Sequence, residues 1–259
     1  MRIIFYNMSG SPAIRKKALN GHYSRYLQSG GEKEGDNVVI YKHREDFWYA
    51  MIRNLGDPYS GAEFICTLEA GKNYPFGPPV VKFLTPNGTV KLAEAFCVDM
   101  GHYHSNNYPA TLGMDGFARQ MTLMLVLGMK GLGGGINLLN HSNEDKKKFS
   151  FESIEYNQKH NKVWVDMLMR VDAFVKDYGQ AITSKNEERA KELKKIIKVH
   201  QMTSVEEMLK VYDEYLETHP IGSVVQEEQP EIQEEEKPKK SKKDKKEKKE
   251  KKSKKKDKI

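Results

Sequence analysis

The sequence predicts an α+β domain built on a small antiparallel sheet. Four short apolar segments follow one another, separated by turn-forming residues: residues 38–42, 47–55, 62–68 and 80–84. No helical segment comes between them, so consecutive antiparallel strands are favoured over the strand–helix alternation of a parallel sheet. Helical periodicity is found before the first of these segments and after the last. We therefore expect a four-stranded antiparallel meander with N-terminal and C-terminal helices.

The first helix is predicted from the residues at its start. Ser11 is a suitable N-cap, and Pro12 occupies the first turn, where a missing backbone N–H is tolerated. Gly21 leaves the end of this helix open. Between the predicted strands, residues 56–58 and the region of Gly71 are rich in turn formers and separate one strand from the next.

A long irregular segment follows the last predicted strand. Residues 85–140 are rich in glycine, asparagine, proline and histidine, with one helical candidate at residues 115–127. Loops of this length are uncommon in a compact domain unless they are functional. We therefore expect the chemistry of the protein to lie in this segment.

Helices are predicted for most of the next part of the chain. Apolar residues recur at helical spacing in residues 145–178, which predicts one long helix with Ile154, Val163, Leu168, Val171, Phe174 and Val175 on its apolar face. Two amphipathic segments follow, at residues 187–199 and 204–216. The second opens with a capping-box pattern at residues 203–206.

Composition divides the chain into a core domain at residues 11–178, a helical extension at residues 179–225 and a tail at residues 226–259. The tail is acidic at residues 227–236 and then lysine-rich at residues 237–259, where 15 lysines stand against four acidic residues. Its few apolar groups cannot form a core, so we expect it to be disordered. The lysine-rich part carries +11 and the acidic part −6, so the tail holds +5 of the net charge of +7, and the rest of the chain, at +2, is close to neutral.

Cysteine content and hydropathy favour an intracellular protein. Cys66 and Cys97 are too few for a disulfide framework, so we expect reduced thiols and a location in the cytoplasm, the nucleus or both. No apolar run reaches the roughly 18 residues of a membrane span, and the N-terminal apolar run is too short for a signal peptide. We expect no transmembrane segment, no metal and no cofactor.

Cys97 is the stronger candidate for a nucleophile. It lies in the long polar segment, whereas Cys66 lies in a strand-like apolar run where a thiol is expected to be an inert small hydrophobe. The nearby His102 and His104 leave two alternatives open. One is a cysteine–histidine hydrolase, which needs a histidine within hydrogen-bond reach of the sulfur. The other is a zinc site, which is disfavoured because no ligand-spaced pair of cysteines is present.

The sequence resembles the ubiquitin-conjugating enzyme family over most of residues 11–178. Three motifs stand in the family's order: Phe47-Trp48-Tyr49, the run from Gly56 to Phe64, and Tyr74-Pro75-Phe76-Gly77-Pro78-Pro79. The next is Thr85-Pro86-Asn87-Gly88, where most members have His-Pro-Asn. The branch typified by endoplasmic-reticulum tail-anchored members has Thr-Pro-Asn-Gly here and its cysteine ten residues after the asparagine, as in this chain. Weaker matches are Gly101-His102, Pro109-Ala110, Gly133-Gly134-Gly135-Ile136 and Asn143-Glu144-Asp145.

The resemblance implies an enzyme that carries ubiquitin as a thioester on Cys97 and passes it to lysine. Asn87 would support the oxyanion or order the loop around it, and Asp99 could orient the incoming lysine. Two further groups would contact partner enzymes: Phe76, Pro109 and Ala110 a ubiquitin ligase, and Arg15, Lys16 and Lys17 the ubiquitin-activating enzyme. The structural alternatives are a turn-forming asparagine, a solvated loop acid, an internally packed Phe76 and a solvated helix face.

Two departures from the family pattern matter. Asn107 replaces a tryptophan that the family carries two residues before Pro109, which affects the packing of the active-site loop, and lysines stand where the branch has its membrane anchor. A second interpretation is therefore a conjugating-like binding protein with an idle cysteine, tethered to nucleic acid or another polyanion by its basic tail. Nuclear targeting and self-modification are further roles for that tail. Charging with ubiquitin separates an enzyme from a binding protein.

Overall fold

A computed structural model of the protein describes residues 11–29, 37–97, 107–127, 136–199 and 205–218. All of these residues lie in the first of the two units into which the chain divides, Met1–Ile221 and Gly222–Ile259. The described residues form four strands, β1 to β4: Val38–Lys42, Phe47–Ile52, Phe64–Glu69 and Val80–Phe83. They also form six helices, α1 to α6: Pro12–Ser29, Gly113–Leu127, Asn143–His160, Lys162–Thr183, Glu187–Val199 and Val205–Thr218.

The strands form one antiparallel sheet in the order β1-β2-β3-β4. In its register, Tyr41 pairs with Tyr49, and Cys66 pairs with Phe83. Strand β2 ends before Asn54, whose φ of 53° takes the chain out of the extended region, so this strand is shorter than predicted. Each strand pairs with the next along the chain, and the predicted α+β class with a four-stranded antiparallel meander is confirmed.

Helices cover both faces of the sheet. Neighbouring residues on a strand project to opposite faces, so Trp48 and Tyr49 point to different sides. Trp48 packs against Tyr23 of α1, with the ring centroids 5.5 Å apart. Tyr49 is stacked on Trp164 of α4 at 3.8 Å. Because both faces are covered, every residue of the edge strand β1 is buried.

Helix α1 begins where the sequence predicts. The Ser11 hydroxyl accepts a hydrogen bond of 3.3 Å from the backbone N–H of Ile14, in agreement with the predicted N-cap. The helix continues past Gly21 for two more turns. Near its end, the hydroxyl of Tyr26 accepts a hydrogen bond of 2.9 Å from the backbone N–H of Ile40 in β1. Packing and this hydrogen bond hold α1 against the edge of the sheet.

The prediction of one continuous helix over residues 145–178 is wrong. Helices α3 and α4 are separate and meet at Asn161, whose φ of −126° and ψ of 17° lie outside the helical region. The Asn161 side chain donates a hydrogen bond of 3.2 Å to the backbone carbonyl of Leu84, just after β4. Helix α3 also starts earlier than predicted, because Ser142 and Asp145 form a capping box.

The face that α3 buries is polar rather than apolar. Ser153 and Asn157 are buried there, whereas the Ile154 side chain expected in the core is 47% exposed. Asn157 donates a hydrogen bond of 2.7 Å to the backbone carbonyl of Glu63, and Ser153 Oγ accepts one of 3.1 Å from the Glu63 N–H. The apolar periodicity therefore did not identify the residues that this helix buries.

Helices α5 and α6 pack against α4. The apolar residues predicted for α4 are buried in its middle, and Val163 in its first turn is exposed. Tyr212 and Tyr215 of α6 lie 5.9 and 6.0 Å from Phe174 between ring centroids. Burial raises the pKa of the Tyr212 hydroxyl well above its ordinary value. The extension thus contributes aromatic side chains to the same core as α4.

The three-part division of the chain stays a prediction, although α4 runs without a break through its first boundary, at residues 178 and 179. The tail at residues 226–259 and two residues of the predicted capping box, 203 and 204, lie outside the described residues. Within the described ranges, no helix has the length and hydropathy that crossing a membrane requires.

Candidate active site

The turn that follows β4 is ordered by the side chain of Asn87. Its Oδ1 accepts hydrogen bonds from the backbone N–H groups of Thr89 at 2.9 Å and Val90 at 3.0 Å. Its Nδ2 donates a long bond of 3.4 Å to the carbonyl oxygen of Thr85, and the side chain is fully buried. Such asparagine-to-backbone bonds are typical of turns. The carbonyl half of this amide therefore fixes the turn and orients the nitrogen half.

The turn is also anchored to the sheet and to α3. Thr85 Oγ1 accepts a hydrogen bond of 3.0 Å from the N–H of Ile65 and donates one of 2.5 Å to Asn157 Oδ1. Gly88 has a φ of 71°, and a Cβ at this position would lie 2.8 Å from the ring of Phe149. Glycine is therefore required both by the backbone conformation and by the close approach of α3.

Hydrogen bonds to residues 136–139 connect this turn with Cys97. The N–H of Leu139 donates to the carbonyl of Thr89 at 2.8 Å, one residue beyond the turn glycine. At the other end of the same segment, the carbonyl of Ile136 accepts from the N–H of Cys97 at 3.0 Å. Cys97 and the Asn87 turn are thus positioned against a common length of backbone.

The two thiols of the chain lie in different environments. Cys66 lies inside β3, and burial raises the pKa of its thiol to about 12. Such a thiol is protonated at neutral pH and a poor nucleophile, which supports the expectation of an inert Cys66. Cys97 lies outside the named strands, at the end of the segment that follows the Asn87 turn, with 8% of its surface exposed.

Three residues named from the sequence lie outside the described residues: Asp99, His102 and His104. Their placement relative to Cys97 therefore stays a prediction, and so does the hydrolase alternative. Where the structure describes the chain, no three histidine, cysteine or acidic side chains cluster in the way that a metal site requires.

Phe76, Pro109 and Ala110 lie on turns at the surface. Phe76 is 42% exposed, which rules out the alternative in which its side chain packs internally. Pro109 is exposed and Ala110 partly exposed. The hydroxyl of Tyr74, two residues before Phe76, accepts a hydrogen bond of 3.1 Å from the N–H of Met114, which follows the other turn. The two turns are therefore linked through Tyr74.

The aromatic group of the second turn is supplied by Tyr108 rather than by position 107. The Tyr108 ring packs edge-on against Phe117 of α2 at 5.9 Å, and burial raises the pKa of its hydroxyl to about 12. Arg25 of α1 also holds this region through a hydrogen bond of 2.7 Å to Asp115. Asn107 is exposed. Position 107, where the sequence pattern would have a tryptophan, is therefore an exposed asparagine, and the buried aromatic side chain of this turn is that of Tyr108.

The three basic residues of α1 divide into two kinds. Arg15 donates hydrogen bonds to Asp46 at 2.8 Å and to the carbonyl of Ala70 at 2.6 Å, so it connects α1 to the sheet. Lys16 and Lys17 are exposed, and Lys16 lies 4.0 Å from Glu45. The cationic surface of this helix is therefore formed mainly by the two lysines.

Three residues that hold the Asn87 turn were not identified as such from the sequence: Tyr59, Thr85 and Asn157. Tyr59 and Thr85 both fall in quoted motifs, but a motif does not reveal what a hydroxyl binds. Asn157 carries no sequence signal, because hydrophobic periodicity does not detect a buried asparagine. Only the folded chain brings these three side chains together.

Sequence comparison finds similarity to proteins that are named ubiquitin-conjugating enzymes. The chain is 26% identical over 123 residues to the ubiquitin-conjugating enzyme E2 6 of Eremothecium gossypii, which covers 47% of this chain and 46% of that protein. It is 34% identical over 62 residues to the ubiquitin-conjugating enzyme E2 6 of Candida glabrata, covering 24% of this chain and 25% of that protein. The chain is similar in sequence to ubiquitin-conjugating enzymes. The matches span less than half the length of these ubiquitin-conjugating relatives.

Solved structures give a weaker similarity. A protein described as a novel ubiquitin-conjugating enzyme aligns with a TM-score of 0.40 at 17% identity, covering 61% of this chain and 98% of that one. A Plasmodium vivax ubiquitin-conjugating enzyme E2 aligns with a TM-score of 0.34 at 17% identity, covering 41% and 97%. These TM-scores are too low to support an inference about this chain. No protein-family model matches it.

Proposed function

We propose that the protein is a ubiquitin-conjugating enzyme that accepts ubiquitin as a thioester on Cys97 and transfers it to lysine, with or without a ligase. The observation that supports this most is the location of Cys97. Its backbone is bonded to the same segment, residues 136–139, as the chain following Asn87. The names of the sequence relatives support the general function, and the Thr85-Pro86-Asn87-Gly88 sequence supports the tail-anchored branch as the nearest group.

The proposed chemistry is two successive acyl transfers. In the first, the Cys97 thiolate attacks the carbonyl of ubiquitin bound to the activating enzyme, and the thiolate of that enzyme leaves. In the second, a neutral lysine amine attacks the new thioester, the Cys97 thiolate leaves, and the amine loses a proton to solvent or a nearby base. A thiol suits both steps, because a thiolate is a good nucleophile and a good leaving group.

Asn87 has two compatible tasks in this scheme. Each attack develops negative charge on the carbonyl oxygen, and an amide N–H donor near that oxygen stabilises it. The Oδ1 of Asn87 accepts from two backbone N–H groups, which fixes the orientation of the side chain, and Nδ2 is the group that can donate to the oxyanion. We propose that the two hydrogen bonds to Oδ1 hold Nδ2 in the orientation from which it donates to the oxyanion.

The partner surfaces are proposed from exposure. Phe76 and the Pro109-Ala110 turn are accessible and linked through Tyr74, which suits a shared contact with a ubiquitin ligase. For the activating enzyme we propose Lys16 and Lys17, with Arg15 in a supporting role. The lysine-orienting role of Asp99 and nucleic-acid binding by residues 237–259 are proposed from the sequence alone.

Charging of the full chain tests the proposed function. With ATP, activating enzyme and ubiquitin, the wild type and Cys66→Ala should form a thiol-sensitive adduct of one ubiquitin. Cys97→Ala should form none, and Cys97→Ser should form a thiol-resistant ester. An adduct that persists in Cys97→Ala would contradict the assignment of the nucleophile. A wild type that never charges would favour the idle binding protein.

A further inference from the structure

The hydroxyl of Tyr59 lies at the turn that carries Asn87. It donates a hydrogen bond of 2.8 Å to the backbone carbonyl of Asn87 and forms a second, of 2.6 Å, with the hydroxyl of Thr89. Tyr59 is fully buried. A phenolic hydroxyl has a single proton, so the bond to Asn87 uses that proton and Thr89 donates the other bond. One hydroxyl therefore bonds to the residues on both sides of Gly88, to the backbone of Asn87 and to the side chain of Thr89.

The ring of Tyr59 is itself held in place. The backbone N–H of Tyr59 donates to the carbonyl of Gly56 at 2.9 Å, and its backbone carbonyl accepts from the N–H of Ala62 at 3.1 Å, so the residue lies inside a tight turn. The ring packs edge-on against Phe64, the first residue of β3, at 5.2 Å between centroids. Burial raises the pKa of the hydroxyl to about 12, so the proton is present at neutral pH.

The same hydroxyl also lies on the path from Asn87 to the nucleophile. Thr89, which donates to Tyr59, presents its backbone carbonyl to the N–H of Leu139. Three residues earlier, Ile136 accepts the N–H of Cys97. Loss of the Tyr59 hydroxyl would remove a constraint on the backbone between Asn87 and residues 136–139. The buried Asn87 carbonyl and the Thr89 hydroxyl would each lose one hydrogen bond.

We propose that Tyr59 is a positioning residue of the active site, whose hydroxyl fixes the Asn87 side chain relative to Cys97 during transfer. This inference rests on the proposed function. Tyr59 touches neither ubiquitin nor the lysine in this proposal, and it acts through the turn. Its removal should therefore slow the chemical step without changing how the lysine acceptor binds.

The test is Tyr59→Phe in the full chain, because this change removes the hydroxyl and keeps the ring. Single-turnover discharge of the Cys97 thioester onto free lysine is measured over a range of lysine concentrations. We expect the maximal rate to fall by about tenfold, with the half-saturating lysine concentration and the loading rate within about twofold of wild type. That split separates positioning from general loss of structure, which would lower both half-reactions.

Tyr26→Phe is the matched control. It also removes a buried tyrosine hydroxyl that bonds the backbone, at Ile40 of β1, away from the Asn87 turn. The control should lower the melting temperature without slowing discharge. Thr89→Ser, which retains a hydroxyl for Tyr59, should discharge normally, and Thr89→Val should be slowed. The two Thr89 variants also decide the question if Tyr59→Phe does not fold.

Two results would overturn the inference while leaving the proposed function intact. One is a wild type that charges and a Tyr59→Phe variant that discharges at the wild-type rate. The other is an equal loss of discharge in Tyr59→Phe and Tyr26→Phe, which would make the effect one of stability. A wild type that does not charge on Cys97 would overturn the proposed function and this inference together.

Discussion

The ring of Trp164 is stacked on Tyr49 at 3.8 Å, and His43 packs edge-on against Trp164 at 5.4 Å. The Nδ1 of His43 is buried and has no hydrogen-bond partner among the described residues. Burial lowers the pKa of this imidazole, and the positive charge of Arg44 lowers it further. A histidine surrounded by aromatic rings is thus kept neutral between the sheet and α4.

Stability should fall as the pH drops below about 6.5, the value for an unperturbed histidine. As the pH falls, His43 is protonated at a higher pH in the unfolded chain than in the folded chain. The contribution of neutral His43 to the free energy of unfolding is therefore complete above about pH 6.5 and is lost as the pH falls toward the folded-state pKa. His22 acts in the same direction, because burial lowers its pKa and Arg25 adds to this, although Asp115 opposes it. Melting temperatures should show the decrease, and His43→Gln should make it shallower. Parallel curves for the two proteins would exclude His43 as a contributor.

The two ends of the Asn87 amide can be separated by substitution. Asn87→Asp keeps an acceptor for the N–H groups of Thr89 and Val90 but removes the Nδ2 donor. Discharge from Cys97 should fall by about 10²–10³, the usual cost of one lost oxyanion donor. The melting temperature should also fall, because the new carboxyl group is buried and faces the Thr85 carbonyl without the bond that Nδ2 makes. Single-turnover discharge and thermal unfolding measure the two effects.

Asn87→Ala is the comparison for this prediction. It removes the acceptor as well, and each buried N–H left without a partner costs about 1–3 kcal/mol. Thermal stability and both half-reactions should therefore decrease. Normal discharge by Asn87→Asp would show that the residue only shapes the turn.

Tyr212 should be as important to stability as a residue of the main core. Its side chain is 1% exposed against Phe174, and replacement of such an aromatic residue by alanine typically costs about 3–5 kcal/mol. Phe151 of α3 is the control, because it is 89% exposed and its replacement by alanine should change stability by no more than about 0.5 kcal/mol. Denaturant unfolding measures both. Equal midpoints for wild type and Tyr212→Ala would mean that the extension is not coupled to the core.

The basic residues of α1 should fall into two phenotypes. Arg15→Ala removes hydrogen bonds to Asp46 and Ala70, so its melting temperature should fall. Lys16 and Lys17 are exposed, so reversing both charges, Lys16→Glu with Lys17→Glu, should leave the melting temperature nearly unchanged. The double variant should charge several-fold more slowly, because long-range attraction to an acidic partner would become repulsion. Initial charging rates at two salt concentrations check this. A double variant that charges normally would remove the lysines from the proposed interface.

The sheet could be predicted from sequence because each strand is short, apolar and bounded by turn residues. The meander order follows from those turns, and Cys66 falls in the middle of a strand by the same pattern. The sequence therefore predicts the contrast between Cys66, in a strand, and Cys97, in a loop. Helix α3 was misjudged because its buried face is made of serine and asparagine, which hydrophobic periodicity does not detect.

The interior of the candidate site was the least predictable part. Asn87 was named from a resemblance, but the partners of its Oδ1 depend on a turn whose geometry the sequence only suggests. The bond between Thr85 and Asn157 joins residues far apart in the chain, and neither has a pattern that points to the other. Arg15 looked like one of three surface cations, and only its contact with Asp46 shows that it is structural.

The polar buried face of α3 also determines how tightly the position of that helix is specified. A helix packed through leucines can slide or rotate slightly and still bury about the same area. Ser153 and Asn157 bind particular atoms of Glu63, so a shift of one residue would leave several polar groups buried without partners, at about 1–3 kcal/mol each. The directions of these hydrogen bonds, rather than the area buried, therefore set the register of α3 and with it the approach of the Phe149 ring to Gly88.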